Sequence, residues 1–221
     1  MPLPKPLPAD PTTDPYAVLP EALRRLALRG ELKRYRKGVT LIHEGDQGDT
    51  LFILLAGRVR AFGSDEDGRE ITYGDYGAGE FLGEVILDGG PRSASVITLE
   101  PTDCVLVTRH TLLQHISDHP EFAFDLLANV IRRIRAATLS TKHMALNGVY
   151  ERLVSLLNQL AQPQADGTRL IAERLTHQAM ANRLGCSREM VSRLMKDLEG
   201  GGYLRPQAEA LILLRTLPAR W

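Results

Sequence analysis

From Val39 to Thr108 the apolar residues come in short bursts rather than in a helical stripe. Residues 39–43, 51–55, 58–62, 69–76, 93–99 and 103–108 are each rich in β-branched or aliphatic side chains. Turn formers separate them: Glu44-Gly45-Asp46, Ala56-Gly57, Asp67-Gly68, Gly77-Ala78-Gly79, Asp88-Gly89-Gly90-Pro91 and Glu100-Pro101. Gly supplies positive φ, Pro pre-sets φ, and Asp hydrogen-bonds its own backbone, so each cluster ends a strand for a physical reason. Short strands at this even spacing predict a sandwich or barrel. Ahead of them a short helix is predicted over Glu21–Ala27, with Leu23, Leu26 and Leu28 as its apolar contacts. Residues 1–20 hold Pro2, Pro4, Pro6, Pro8, Pro11, Pro15 and Pro20, which exclude helix and central strand and predict a flexible tail.

After Pro120 the period changes. Leu127, Ile131, Ile134, Thr138, Thr141, Ala145 and Gly148 step by four and three, an a/d seam that predicts a long helix pairing with a copy of itself in a two-fold dimer. Asn147-Gly148 interrupts it as a hinge, and helical pattern resumes over residues 149–161 before a polar loop at 162–167. Thr176 and Ser187 are placed to cap two further helices, running to Leu184 and Glu199, and Gly200-Gly201-Gly202 stops the second. Residues 203–205 and 211–215 read as a small hairpin. The domains expected are a tail (1–20), a β-rich domain (21–119), a dimerisation helix (120–147) and a compact C-terminal domain (148–221).

Residues 178–194 read QAMANRLGCSREMVSRL. Gly185 is the turn, Ala181 lets two helices cross closely, and Met180, Leu184, Cys186, Val191 and Leu194 supply the joining faces. This is the helix–turn–helix pattern. Its second helix would then be the recognition helix. Ser187, Arg188, Glu189, Ser192, Arg193 and Lys196 lie towards DNA, where Arg pairs with guanine and Glu accepts from cytosine. Thr176, His177 and Gln178 open the first helix, where side-chain and backbone donors can grip phosphate.

Composition narrows the classes. The 221 residues are 43% hydrophobic and 24% charged, ordinary for a globular chain. No run approaches the roughly 18 apolar residues of a membrane span. The N-terminus lacks a secretory signal, so a cytoplasmic location is expected. Net charge is zero, yet residues 1–148 carry 17 basic against 20 acidic groups and residues 149–221 carry 10 against 7, which fits a nucleic-acid module on one end. Cys104 and Cys186 are too far apart for a CxxC pair and read as buried small hydrophobes, and His115 with His119 makes only a weak metal pair, so no metal or bound cofactor is expected.

A second motif sits inside the β-rich part. Residues 83–96 read GEVILDGGPRSASV. Arg92 offers a planar fork for a phosphodiester, Ser93 a hydroxyl, Gly83 a turn with free backbone N–H groups, and Glu84 an acceptor for a sugar hydroxyl. Replacing Arg92 is expected to abolish binding of a phosphate-bearing effector with the fold intact.

Three runs, EGDQGDTLFILLAGRVRAF at 44–62, the 83–96 cassette, and GCSREMVSRLMKDLE at 185–199, occur in one order. Together they resemble the CRP/FNR family of bacterial transcription regulators, over nearly everything from Glu21 onward. The resemblance implies an α+β chain: a cyclic-nucleotide-binding β-barrel (jelly roll), a dimerisation helix and a winged helix–turn–helix. By it, Gly83 and Glu84 would meet a ribose, Arg92 and Ser93 a cyclic phosphate, and Ala137 and Thr138 a base. Arg188, Glu189 and Arg193 would read a TGTGA-like half-site in an inverted repeat, with RNA polymerase as protein partner. The effector it implies is cAMP, another nucleotide such as cGMP or cyclic di-GMP, or none. Iron–sulfur members need a cysteine cluster, which two distant cysteines do not supply; haem members need axial ligands, and the cassette with the strand Ser93–Leu99 holds no His, which leaves Pro2 as the slight hint of one.

Two other classes compete. An enzyme would need a nucleophile triad, a P-loop or a metal spacing, and none is present in the sequence. A regulatory subunit acting on a protein partner would have no use for residues 178–194.

Overall fold

The computed structural model describes residues 14–218. These form two compact units: the described residues up to Gly63 with Gly74–Val130, and Ser64–Tyr73 with the residues from Ile131 onward. Most of the expected tail lies outside the described residues. Its last part is ordered instead, because Asp14–Pro20 forms a turn that drops Leu19 into the core.

The first unit opens with α1 (Glu21–Ala27) and then runs β1 (Glu31–Tyr35), β2 (Thr40–Ile42), β3 (Thr50–Ala56), β4 (Arg58–Ser64), β5 (Glu70–Gly77) and β6 (Phe81–Leu82), except that Ser64–Tyr73, where β4 ends and β5 begins, is grouped with the second unit. A single 3-10 turn (Glu84–Leu87) precedes β7 (Ser95–Thr98), β8 (Thr102–Thr108), α2 (Arg109–Asp118) and the start of α3 (Glu121–Leu146). The strands make two four-stranded sheets, ordered β1-β8-β3-β6 and β2-β7-β4-β5. The choice between sandwich and barrel is thereby made: two sheets in jelly-roll fashion, not one closed barrel. Ile42, Val59, Ala61 and Val96 of one sheet and Phe52, Leu54, Leu82 and Cys104 of the other form the core between them.

β3 explains how the helices attach. Successive side chains of a strand point to opposite faces. Phe52 and Leu54 enter the inter-sheet core, while Leu51, Ile53 and Leu55 enter a second core with Leu23 and Leu26 of α1, Leu112 of α2 and Phe122 and Leu126 of α3. A strand covered on both faces needs an unbroken apolar run, and Leu51-Phe52-Ile53-Leu54-Leu55 is one. By contrast β1, ELKRY, is almost wholly exposed and pairs with β8 from Glu31 opposite Leu106 to Tyr35 opposite Thr102. It is a charged edge strand with no apolar alternation, so the pattern of hydrophobic positions passes over it.

The second unit holds the rest of α3, then α4 (Val149–Leu160), β9 (Gln162–Pro163), β10 (Arg169–Ile171), α5 (His177–Leu184), α6 (Arg188–Gly200), β11 (Leu204–Pro206) and β12 (Leu211–Leu213). The break at Asn147-Gly148 is present: the Gly148 N–H donates to Glu151 Oε2 at 2.9 Å, and Arg152 Nη1 donates to the Asn147 carbonyl at 2.9 Å. The expected hairpin is larger than expected. β11 and β12 pair antiparallel, and β10 and β9 extend them to a sheet ordered β11-β12-β10-β9. Gln162-Pro163, expected in a loop, is thus a strand edge. Leu153, Leu157, Met180, Val191, Leu198 and Leu213 knit α4, α5, α6 and this sheet into one core.

Candidate functional site

In the first unit three loops meet at Arg92. Its backbone is clamped by the 44–49 loop: the Arg92 N–H donates to the Asp46 carbonyl at 2.9 Å and the Arg92 carbonyl accepts from the Gly45 N–H at 2.8 Å. Its side chain runs inward and is only 6% exposed. Nη1 donates to the Gly83 carbonyl at 3.1 Å and Nη2 to the Thr50 carbonyl at 2.7 Å. A guanidinium has five N–H groups, so these carbonyls take two of them. Burial pulls its pKa below the ordinary arginine value, while the carboxylates of Asp49 and Glu84 push it back up. It stays charged.

Two glycines make room for it. A Cβ on Gly48 would lie 2.7 Å from Arg92 Nη2, and one on Gly83 would lie 2.6 Å from Nη1. Gly83 also holds φ +87, a left-handed conformation that launches the 3-10 turn. Glu84 is the first residue of that turn, and Ser93 is exposed beside Arg92. The structure therefore brings Gly83, Glu84, Arg92 and Ser93 into one neighbourhood. Gly48 and Thr50 are additional members. Gly48, in a loop with Gly45 and two aspartates, carries the only sequence hint, a glycine where the chain turns tightly. Arg92 also braces two backbone carbonyls, one of which, that of Gly83, accepts from the Ile86 N–H as well, at 3.2 Å.

In the second unit Thr176 caps α5, its Oγ1 accepting from the Ala179 N–H at 3.1 Å, and Ser187 caps α6, its Oγ accepting from the Met190 N–H at 3.3 Å. Gly185 is the left-handed residue between them, φ 62. Ala181 is fully buried at the crossing, as a close approach requires. Arg188, Glu189, Arg193 and Lys196 are exposed along α6. Glu189 is held below the usual carboxylate range by its own backbone N–H, by Ser187 and by the nearby Arg188 charge, so it remains an acceptor. His177 and Ser192 are half-buried, and Nδ1 of the one lies 2.8 Å from Oγ of the other. Gln178 Nε2 donates to Asn182 Oδ1 at 2.7 Å.

α3 carries Ala137 and Thr138, both exposed, with Thr138 Oγ1 donating back to the Ile134 carbonyl at 2.9 Å. The seam on the same helix is uncovered: Leu127 is 53%, Ile131 39% and Ile134 58% exposed. Phe124, 73% exposed, stands three residues before Leu127 on the same helix and continues the same spacing.

Cys104 is buried in the inter-sheet core and its thiol is pushed up to about 12 by burial; Cys186 is only half-buried, short of the expected burial. Among the described residues no group of three or more His, Cys, Asp or Glu could hold a metal, and no helix is long and apolar enough to cross a membrane.

Comparison with known proteins finds a match to each of two domains. Residues 32–119 match the model of the cyclic nucleotide-binding domain, and residues 151–217 that of the Crp-like helix-turn-helix domain. A CRP-like cAMP-activated global transcriptional regulator of Mycobacterium tuberculosis is 30% identical over 200 residues, 89% of each chain. The chain belongs to the Crp family of transcription regulators. The cAMP-activated regulator CRP of Haemophilus influenzae is 31% identical over 189 residues, 82% of this chain and 83% of that one. Among solved structures, the c-di-GMP-responsive regulator CLP of Xanthomonas campestris superposes with a TM-score of 0.78 at 24% identity, covering 88% of this chain and 99% of that one, which shows the shared fold. This Crp-family member is thus a DNA-binding transcription regulator carrying a cyclic nucleotide-binding domain, and the family is not enzymatic.

Proposed function

We propose that the protein is a homodimeric, sequence-specific regulator of transcription whose DNA affinity is set by a cyclic nucleotide bound at Arg92. The carrying observation is the guanidinium sunk between Gly48 and Gly83. Burying a charge is costly unless it is compensated, and here two backbone carbonyls accept from the guanidinium, with the carboxylates of Asp49 and Glu84 near enough to favour its charge. An anionic phosphodiester would complete that compensation, with Ser93 as a second donor, Glu84 and Gly83 at the sugar, and Ala137 and Thr138 at the base. The relatives' names favour cAMP or cyclic di-GMP over other phosphates.

α3 supplies the dimer. A stripe of Phe124, Leu127, Ile131 and Ile134 open to water is what a paired helix buries. Two recognition helices related by a two-fold axis read an inverted repeat with half-sites one helical turn apart. Arg188 and Arg193 donate to guanine edges, Glu189 accepts from cytosine, and a TGTGA-like half-site follows. Thr176, His177, Gln178 and Lys196 hold phosphates. RNA polymerase is the partner through which such a regulator acts, and the cytoplasm, with the DNA, is where it works.

A second reading has one observation in its favour. Arg92 already braces two carbonyls, as a structural clamp would, and a regulator that needs no effector could keep it for that alone. Calorimetric titration with cAMP, cGMP and cyclic di-GMP decides between them. Saturable binding of one nucleotide, weakened by Ser93→Ala, supports the first reading; no heat with any of the three supports the second.

A further inference from the structure

We propose that Ser192 is a positioning residue that fixes the imidazole of His177 as a phosphate donor, and does not itself read a base. This rests on the DNA-binding reading above. His177 is the first residue of α5, directly after its cap Thr176, and Ser192 lies one turn into α6. The 2.8 Å contact between His177 Nδ1 and Ser192 Oγ therefore ties the first helix of the motif to the second.

The contact selects among proton arrangements of the ring. With Nδ1 engaged by the hydroxyl, the nitrogen left for a ligand is Nε2. If Ser192 donates to Nδ1, the neutral ring carries its proton on Nε2 and presents an N–H. If the ring is protonated, Nδ1 donates to Ser192 and Nε2 again presents an N–H. Only the tautomer with its proton on Nδ1 leaves a bare lone pair at Nε2, and a phosphate oxygen repels it. Phosphate thus favours the two arrangements in which Nε2 donates, and Ser192 can complete both because a hydroxyl gives or accepts. The positive end of the α5 dipole favours an anion at the same place.

Engagement with His177 also removes Ser192 from the list of base readers. Ser192 is half-buried, whereas Arg188, Glu189 and Arg193 are exposed. Sequence discrimination then rests on those three, and Ser192 affects affinity without affecting preference.

The test uses the full chain with a duplex carrying inverted TGTGA half-sites and a scrambled duplex of equal length, read by fluorescence anisotropy. His177→Ala and Ser192→Ala should each weaken both duplexes by the same factor, roughly tenfold for loss of a well-placed donor to phosphate. The double variant should lose no more than His177→Ala alone, since the two act as a unit. Ser192→Thr, which keeps the hydroxyl, should restore affinity. A brace that only held the helix angle would instead reduce the ratio between the two duplexes, because Arg188 and Arg193 would shift with α6. Unchanged affinity in Ser192→Ala, losses that multiply, or an altered ratio would each overturn the assignment. Wild-type protein that holds neither duplex, whether alone or with saturating cAMP or cyclic di-GMP, would overturn the DNA reading itself, a different and recognisable failure.

Discussion

Arg92 and its two glycines show how a single side chain can organise a site. The guanidinium needs flat, open space on two sides, and only glycine leaves it at positions 48 and 83. Gly83→Ala would strain a backbone at φ +87 and set a Cβ 2.6 Å from Nη1 and 2.9 Å from the Thr50 carbonyl. A cost of about 1–3 kcal/mol is expected from the backbone alone, visible as a lower thermal midpoint, together with lost nucleotide binding; a variant as stable as wild type would show the cradle to be slack. His115 makes a separate prediction. It is 2% exposed, its buried Nδ1 has no partner among the described residues, and its ring meets His119 at 4.8 Å and the edge of Phe122 at 4.9 Å. Burial first, then the neighbouring His119 and Arg29, hold its pKa below the ordinary imidazole value, against the opposing pull of Asp118 and Glu121. The unfolded chain therefore takes up a proton near pH ~6.5 that the folded chain refuses, and stability falls as pH drops below that value. Thermal melts of wild type and His115→Leu across this range should show the acid-side decline shallower in the variant; parallel curves would rule His115 out as its source. The motif in the sequence pointed to Arg92 and Ser93, but burial and carbonyl partners were not legible, since they arise where the 83–92 cassette meets the Thr50 segment, 42 residues before Arg92.

Elements were legible in proportion to how much apolar pattern they carry. The caps Thr176 and Ser187, the turn at Gly185 and the buried Ala181 could be read because each is a local demand met by one residue type. β1 could not, because its residues are charged and its place is set by β8. β6, two residues long, is held by pairing with β3 and has no pattern of its own. α3 is intermediate. Its exposed apolar stripe, legible in the sequence from Leu127, also takes in Phe124, and Leu139 and Leu146 sit one position beyond Thr138 and Ala145, so the stripe drifts as a 3.6-residue period drifts against a heptad. The seam predicts that Ile131→Asp buries an unpaired carboxylate at a dimer interface. Sedimentation should show wild-type dimer and variant monomer. An Ile131→Asp variant that stays dimeric would place the interface elsewhere.

At the scale of the whole molecule, charge and composition said little beyond a slight basic excess towards the C-terminus. Three motifs in one order said far more, and the two matched domains agree with them. The proposed function joins those domains: a nucleotide bound at Arg92 would change how the α6 helices of a dimer hold DNA. Effectors of this kind typically shift affinity roughly 5- to 150-fold. The direct measurement is the affinity of the full chain for a duplex with inverted TGTGA half-sites, taken without effector and with saturating cAMP or cyclic di-GMP, for wild type and for Arg92→Gln, with a thermal melt to confirm that the variant is folded. The account predicts that one nucleotide shifts wild-type affinity by roughly tenfold or more and leaves folded Arg92→Gln unmoved. An affinity that no cyclic nucleotide alters, or an equal shift in folded Arg92→Gln, would contradict it.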